Sequence, residues 1–444
     1  MNRLAKKLTS RSTVIALLSV ITAALLVALL VPQRGTSGGK IPGWVAALPE
    51  HLRTVVEWLG IDNVVGSSWF LVVVALFALS LMVSTWNQLS AVRGAARRPP
   101  RADAVPDGPA VEAPLSAVTA VLDKGGYRLA ASSGHVHRFV KYSLGYWGNF
   151  LLHLGLVIVV LFSLVYVVTQ HRVFIRLVSD ESTSFTPETA SEVLGALQFK
   201  RELPAAVTLA RLEPVFWPND RLATLASGLA FSRRPSDPPE TVAVATSDKA
   251  HYGPFLVYQG TVFGRAFDLE IISPQGGLSL ERLFLPYPPA RNRAAYGEAA
   301  LKEGLVLKAK YLADASQRSV NLVDPLLTVR VYRGSELLGE TTLRRGEMGS
   351  VGPLMVRWAR DAWWTDILLD GSRGLTGIFA GFAVILAGVL CAYCFVPREV
   401  LVREEGGRVL MQQVVRRFGE LYRDEFDGLV ALLGPSLPPG EEGG

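Results

Sequence analysis

Four long apolar runs constrain the fold of this sequence more than any other feature. They occupy residues 13–32, 67–88, 146–169 and 373–396. Each has about 20 mostly hydrophobic residues, which is enough for a helix to cross the hydrocarbon core of a bilayer at about 1.5 Å per residue. We therefore predict a membrane protein with four transmembrane helices.

The composition agrees with this class and argues against several others. The chain has 444 residues, of which 50% are hydrophobic, and a formal net charge of +6. Its length alone suggests two or three domains. The positive charges lie beside the apolar runs, where they are typical of topology determinants, so we expect no nucleic-acid partner. P-loop and H-E-x-x-H motifs are absent from the sequence.

Lysine and arginine predict which segments face the cytoplasm. Residues 1–12, 89–145 and 397–444 are rich in these cations next to the apolar runs. By the positive-inside rule these segments, including both termini, are cytoplasmic, whereas the loop 33–66 and residues 170–372 lie outside. A cleaved signal peptide is the alternative for the first run. That run is longer than a usual signal core and no small-x-small site follows closely, which favours a retained span.

Residues 170–372 show the alternation of apolar and polar residues that is typical of β-strands. Seven short runs have this pattern: residues 205–212, 241–246, 255–264, 266–272, 305–311, 326–332 and 337–343. The sequence Arg333-Gly334-Ser335-Glu336 between the last two predicts a hairpin turn. We predict transmembrane helices plus a large, mostly β extracytoplasmic domain, folded as a sandwich.

The smaller segments give weaker signals. Residues 52–59 predict a short interfacial helix in the outer loop. In the cytoplasmic loop, the composition of residues 99–114 indicates a flexible linker, and residues 115–124 predict a helix ahead of a hairpin near residues 132–134. We expect one amphipathic helix over residues 409–433 in the C-terminal tail.

His153 lies within the third apolar run, although a charged side chain at membrane depth costs roughly 2.5 kcal/mol or more. Its presence therefore indicates a function. On a helix, Asn149 lies one turn earlier and could bond one ring nitrogen, which leaves the other free to bind a metal. A neutral histidine that bonds to another helix is an equally good explanation. Because one imidazole does not complete a metal site, a second ligand would have to come from elsewhere or from a partner.

Other candidate residues carry less weight. Cys391 and Cys394 form a C-x-x-C sequence, but they lie at the reducing, cytoplasmic end of the fourth run, which favours buried apolar residues over redox chemistry. His51 and His171 flank the outer boundary and could approach a ligand there. The remaining polar or aromatic candidates are expected at surfaces, with the three tryptophans in an interfacial belt: His135, His137, His251, Trp358, Trp363 and Trp364. No catalytic acid–base pair or nucleophile stands out.

Five motifs occur in order along the chain. They are Val31-Pro32-Gln33; residues 59–64 with Ser68-Trp69-Phe70; Gly126-Tyr127-Arg128 before Trp147-Gly148 and His153-Leu154-Gly155-Leu156; Tyr252-Gly253-Pro254-Phe255 with Tyr258, Gln259 and Gly264; and Pro397-Arg398 with Gly406-Gly407-Arg408. Together they make the chain resemble the ResB-type (CcsB-like) cytochrome c biogenesis proteins of system II. The chain departs from the family pattern after the third span, at Phe162-Ser163-Leu164, and over residues 366–375.

The resemblance implies a multi-pass protein of the bacterial inner membrane that helps to move haem b outwards for attachment to apocytochrome c. His153 would be an axial ligand of the haem iron, supported by Asn149. The implied partners are a ResC/CcsA-like polytopic membrane protein, apocytochrome c and a thioredoxin-like thiol reductant. The tryptophan-rich motif of the ResC/CcsA-like protein is absent here, so the chain resembles a non-catalytic subunit or one half of a haem lyase. The alternative is a membrane-anchored scaffold whose outer β domain recognises a protein, with His153 structural.

Overall fold

The computed structural model describes residues 3–34, 41–101, 107–234, 236–415 and 417–434. The chain divides into two compact units. The first, called the membrane unit, comprises Met1–Leu29, Ser67–Tyr166 and Gly374–Gly444. The second, called the β unit, comprises Leu30–Gly66 and Val167–Arg373.

The described residues form α-helices and strands that we number in chain order. The helices are α1 (Arg3–Leu8), α2 (Arg11–Leu30), α3 (Gly43–Ala46), α4 (Glu50–Leu59), α5 (Ser68–Arg97), α6 (Leu115–Lys124), α7 (Gly148–Val168), α8 (Leu375–Tyr393) and α9 (Arg423–Ala431). The strands are β1 (Ala110–Val111), β2 (Arg128–Ser133), β3 (Val136–Lys141), β4 (His171–Val178), β5 (Ser182–Ser184), β6 (Ala190–Leu194), β7 (Ala206–Phe216), β8 (Leu222–Ser232), β9 (Glu240–Ala245), β10 (Ala250–Tyr252), β11 (Phe255–Ile272), β12 (Leu278–Pro286), β13 (Ala295–Ala300), β14 (Leu305–Leu312), β15 (Leu326–Arg333), β16 (Glu336–Leu343), β17 (Met348–Val351), β18 (Leu354–Asp370), β19 (Arg398–Glu405) and β20 (Arg408–Val415).

Four of the described helices, α2, α5, α7 and α8, are long and apolar enough to cross a membrane. They coincide with the four predicted spans. The predicted fold class, transmembrane helices with a large β-rich domain, is therefore confirmed.

Helices α7 and α8 pack against each other through glycines. A Cβ atom added to Gly155 would lie 2.7 Å from the backbone nitrogen of Ile385, and one added to Gly388 would lie 2.5 Å from that of Leu152. Gly148 meets Ala392 in the same antiparallel register. Small residues let the two backbones approach this closely, which is the usual basis of helix association in lipid. We call this contact the glycine seam.

The loop between the second and third spans and the C-terminal tail together form a domain that the sequence did not predict. Strands from the 89–145 loop and from the C-terminal tail pair into one sheet, in the order β1-β20-β19-β3-β2. Helices α6 and α9 cover it, and Leu122, Tyr127, Phe139, Val400 and Met411 are buried in its core. The predicted helix at 115–124 and hairpin near 132–134 are confirmed. We call this part of the membrane unit the small α/β domain.

The amphipathic helix expected over residues 409–433 is wrong. Strand β20 occupies the first part of that range, and the described residues of the second part form a 3-10 turn, Gly419–Tyr422, followed by α9. Gly406 and Gly407 both have positive φ, so they form a tight two-residue turn that pairs Glu405 with Arg408 and starts β20. Part of the expected linker at 99–114 also enters the sheet as β1, and its residues 102–106 lie outside the described residues.

The described residues of the β unit form three sheets around a large hydrophobic core. The largest has the order β10-β11-β18-β4-β6, with β12 on β11 and β17 on β18, and two four-stranded sheets, β13-β14-β15-β16 and β5-β7-β8-β9, complete it. The domain is therefore more elaborate than the expected sandwich. The hairpin at residues 333–336 is found as predicted, with positive φ at Gly334.

The three tryptophans before the fourth span pack inside the β unit: Trp358 lies in this core, whereas Trp364 lies in a smaller buried cluster with Val178 and Ala266. Trp358 and Trp364 on β18 are 0% and 2% exposed, and Trp363 packs against the core beside Phe263 and Tyr287. The prediction that they lie in an interfacial belt is therefore wrong, because both faces of strand β18 pack against other residues of the β unit.

We predict that Gly155→Ala destabilises the membrane unit by about 1–3 kcal/mol, because the added methyl group overpacks the glycine seam. The matched control is Gly94→Ala on α5, where a Cβ atom meets nothing within 4 Å. The free energy of unfolding, measured by SDS titration in mixed micelles, should fall only for the first variant. Equal stability of the two variants would contradict the packing described above.

Candidate functional site

The His153 side chain is held in one orientation by the backbone of its own helix. Its Nδ1 atom lies 2.8 Å from the carbonyl oxygen of Asn149, one turn earlier. In a neutral imidazole Nδ1 then carries the proton and donates it, so Nε2 keeps its lone pair. Nε2 makes no hydrogen bond with the described residues. Asn149 thus contributes through its main chain rather than through its amide.

His153 and the glycine seam lie on different faces of α7. His153 follows Gly148 by five residues, which places it about 140° around the helix from the seam at 3.6 residues per turn. The half-buried imidazole therefore does not compete with the packing of α8. The face that carries it also carries Asn149, and Tyr146 lies in the turn Ser143–Trp147 just before α7.

A cavity of about 230 Å³ lies at the start of this face. Its walls come from α5, from the turn Ser143–Trp147 with the start of α7, from the end of α8, and from the small α/β domain. The polar lining consists of Gln88, Tyr146, Asn149, Glu399 and Arg417. Asn149 therefore both lines the cavity and holds the ring of His153.

A buried ion pair closes the inner wall of the cavity. Arg138 on β3 is 4% exposed, and its Nε donates to Glu399 Oε2 on β19 at 2.7 Å. The Tyr146 hydroxyl donates to Glu399 Oε1 at 2.6 Å, and Arg138 Nη2 donates to that hydroxyl at 3.0 Å. Arg138 also donates to the carbonyls of Ala95 and Arg98 at the C-terminus of α5, at 3.0 and 2.9 Å. All of these groups are therefore paired.

Arg417 is the cation at the mouth of the cavity. Its Nη2 atom lies 3.5 Å from Asn149 Oδ1, and its guanidinium lies 5.7 Å from the centre of the Tyr393 ring. Among the residues that the structure describes, no carboxylate forms an ion pair with it. The charge of Glu399 is balanced by Arg138, so the cavity has a net positive character.

Sequence reasoning missed Arg138, Tyr146, Glu399 and Arg417. They come from segments far apart in the chain, with Arg138 and Glu399 separated by 261 positions, and no local pattern joins them. The strands that carry Arg138 and Glu399 contain other polar and charged residues as well, so neither residue stood out in the sequence.

The other histidines occupy different surroundings. His51 on α4, His135 in the small α/β domain and His251 on β10 are exposed, and His137 bonds Ser132 at 2.9 Å. The expected helix at 52–59 is present as part of α4, with Trp58 83% exposed. The described residues contain no group of three or more His, Cys, Asp and Glu that could hold a metal ion.

His171, the first residue of β4, is closed off from any ligand in this structure. It is 1% exposed. Its Nδ1 accepts a hydrogen bond from the Arg201 amide at 3.0 Å, so the proton is on Nε2, which has no hydrogen-bond partner. The nearest charge to Nε2 is Glu192 at 3.9 Å. Burial lowers the pKa of the His171 imidazole below its ordinary value.

The two cysteines lie at the end of α8. Cys391 is half-buried, Cys394 is exposed at the C-cap of the helix, and both are free thiols. The exposure of Cys394 differs from the burial expected for both thiols, and neither cysteine is among the residues that line the cavity.

Two glutamines of the family-like motifs are structural. Gln33 donates to the carbonyls of Val31 and Ile61 at 2.9 and 3.0 Å and accepts from the Val64 amide at 2.9 Å. It thereby joins the end of α2 to the turn Ile61–Gly66. Gln259 on β11 is buried and bonds Ser227 on β8 and Thr365 on β18, at 2.6 and 2.7 Å. Each amide satisfies backbone or hydroxyl groups that would otherwise be buried unpaired.

We predict that Glu399→Gln destabilises the membrane unit by about 3–5 kcal/mol, because it leaves the buried charge of Arg138 without a counter-ion. Glu112→Gln is the matched control: Glu112 pairs with Arg408 at 3.5 Å in the same domain, but both side chains are more than half exposed. Its cost should be below about 1 kcal/mol. The double variant Arg138→Met/Glu399→Leu should cost less than Glu399→Gln alone, and the opposite order in unfolding free energies would contradict this account.

We predict that His171 makes the stability of the β unit depend on pH. In the unfolded chain the imidazole binds a proton as the pH falls below about 6.5, whereas the folded chain keeps it neutral until a lower pH. The stability of the β unit therefore decreases as the pH falls through this window. In His171→Gln the melting temperature should fall less between pH 7 and pH 5 than in the wild type, and in the exposed control His251→Gln it should fall as in the wild type. Identical pH dependence in both variants would exclude His171 as the cause.

The comparison with protein-family models agrees with the motifs. The model of the ResB-like family matches residues 11–261, which is more than half of the chain. The matched region contains α2, α5, α7 with His153, and the first part of the β unit. No curated protein matches the chain. The chain is a membrane protein that belongs to the ResB-like family, and this membership implies a role in cytochrome c biogenesis.

Proposed function

We propose that this protein is the haem-handling subunit of a system II cytochrome c synthase. It helps to move haem b across the membrane and to present it for covalent attachment to apocytochrome c. The observation that carries the proposal is the hydrogen bonding of His153. Its Nδ1 atom is bonded to the backbone of α7, so the lone pair of Nε2 is available to bind a metal. A neutral imidazole of fixed orientation is a suitable axial ligand for haem iron.

His153 supplies one of two axial positions. The glycine seam fills a different face of α7, so a helix of a partner can approach the face that carries His153 without displacing α8. We propose that a ResC/CcsA-like polytopic membrane protein provides the second ligand there. In this arrangement the chain contributes binding and positioning, as one half of a haem lyase complex, and no catalytic side chain of its own.

The proposed orientation follows from the basic segments. The small α/β domain carries many of the cations near the spans, which favours the cytoplasm for it and for both termini. The β unit is then extracytoplasmic, in the bacterial inner membrane. His153 lies five residues, about 7.5 Å, from the start of α7. Haem would therefore meet it near the cytoplasmic side.

The outer and inner parts then have separate tasks. The β unit offers a large rigid surface for apocytochrome c or for the partner's haem-presenting segment, which is positioning rather than chemistry. Cys391 and Cys394 lie at the cytoplasmic end of α8. A thioredoxin-like protein, rather than these thiols, would keep the cysteines of apocytochrome c reduced outside.

The alternative function is a membrane-anchored scaffold whose β unit binds a protein partner without haem. It would leave the free Nε2 atom of His153 unexplained. Haem spectroscopy separates the two functions, because only the first requires iron coordination by this side chain.

We predict that His153→Ala removes or shifts the Soret band of the complex purified with its ResC/CcsA-like partner from haem-replete membranes. Added imidazole should restore part of the band, since it can occupy the vacated coordination position. His135→Ala, which removes an exposed histidine of the small α/β domain, is the matched control and should leave the spectrum unchanged. A His153→Ala complex with an unaltered spectrum and full cytochrome c maturation would contradict iron ligation by His153.

A further inference from the structure

We propose that the cavity beside Asn149 binds the propionate groups of haem, with Arg417 as their counter-ion. This inference rests on the proposed function of His153 and extends it from the iron to the edge of the macrocycle. It assigns the orientation of haem in the membrane, with its propionates toward the small α/β domain.

The cavity lies close to the free Nε2 atom of His153. Asn149 lines the cavity and holds the His153 ring through its carbonyl oxygen. The cavity and the free Nε2 atom are thus about one helical turn apart on the same face of α7, or about 5.4 Å along its axis. A planar ligand lying along this face can reach both at once.

The charges that line the cavity favour an anionic group. Both carboxylate oxygens of Glu399 are already engaged, one by Tyr146 and the other by Arg138. Arg417 faces the cavity without an ion-pair partner among the described residues, and its closest polar contact is the neutral amide of Asn149 at 3.5 Å. A guanidinium beside amides of Asn149 and Gln88 is a suitable donor set for a carboxylate.

The size of the cavity suits part of a ligand rather than a whole one. The cavity volume of about 230 Å³ is below the roughly 300–1,000 Å³ of pockets that enclose a whole small ligand. It suits the polar edge of a larger molecule. Haem is such a molecule: its two carboxylates lie on one edge, and the rest of the macrocycle is apolar and can stay in lipid beside α7.

The orientation has a consequence for the reaction. With the propionates in the cavity, the opposite part of the macrocycle points away from the small α/β domain, toward the far side of the membrane. That part carries the vinyl groups, which form the bonds to apocytochrome c. Haem would therefore be bound with its reacting edge leading.

The test compares haem with haem dimethyl ester, whose propionates are esterified and uncharged. The full chain is placed in lipid nanodiscs with imidazole as the second axial ligand, and each porphyrin is titrated while the Soret band is followed. Wild-type protein should bind haem more tightly than the ester. Arg417→Gln should weaken haem binding by about tenfold and leave ester binding unchanged, because it removes a charge-assisted hydrogen bond.

Two further variants make the result specific. Arg128→Gln removes an exposed cation of the same domain, on β2, and should change neither affinity. Arg417→Lys keeps the charge and should recover part of the preference for haem. If Arg417→Gln weakens both porphyrins equally, or neither, while His153→Ala still weakens binding of both, the propionate site is wrong and the ligand role of His153 stands. If His153→Ala leaves both titrations unchanged, the proposed function itself fails.

Discussion

The buried ion pair between Arg138 and Glu399 organises the membrane unit. The guanidinium bonds a carboxylate on β19, the tyrosine ahead of α7, and two carbonyl groups at the C-terminus of α5. Those carbonyls have no partner within their own helix, and a cation is favoured at that end of the helix dipole. Strand β19 follows directly after α8. One side chain thus connects the ends of three spans to the small α/β domain. Because burying both charges is costly, its main effect is to specify geometry rather than to add stability.

This geometry determines where His153 stands. The glycine seam fixes the rotation of α7 against α8, and the hydrogen bond from Tyr146 to Glu399 fixes the start of α7 against the small α/β domain. Asn149 and His153 follow on the same helix, so their positions relative to the cavity are set by these two contacts. A site built on helices that are held at two points is more rigid than one built on loops, which suits the iron-ligand role proposed for His153.

Much of this fold is readable from sequence because its signals are local. The four spans follow from apolar length, the strands of the β unit from alternation, and the turn at Gly334 from two residues. The small α/β domain is not readable in this way, since β3 and β19 pair across about 260 positions. Local evidence also misled in two places. Over residues 409–415 a strand and a helix give similar patterns, and only the Gly406-Gly407 turn distinguishes them. Trp358 and Trp364 suggested a membrane interface because they precede a span, although their strand buries them.

The candidate site shows the same division between local and non-local information. His153 stands out from sequence because its run is otherwise apolar, but Glu399 and Arg417 gain meaning only from the fold. Both lie beyond residues 11–261, the region that matches the family model. The setting of His153 therefore depends on a part of the chain outside the match. It follows that α7 has two roles on two faces: the glycine face is satisfied within the chain, whereas the histidine face carries a cavity at its start and a nitrogen lone pair one turn further on. In the proposed complex, this second face is the one that another protein would complete.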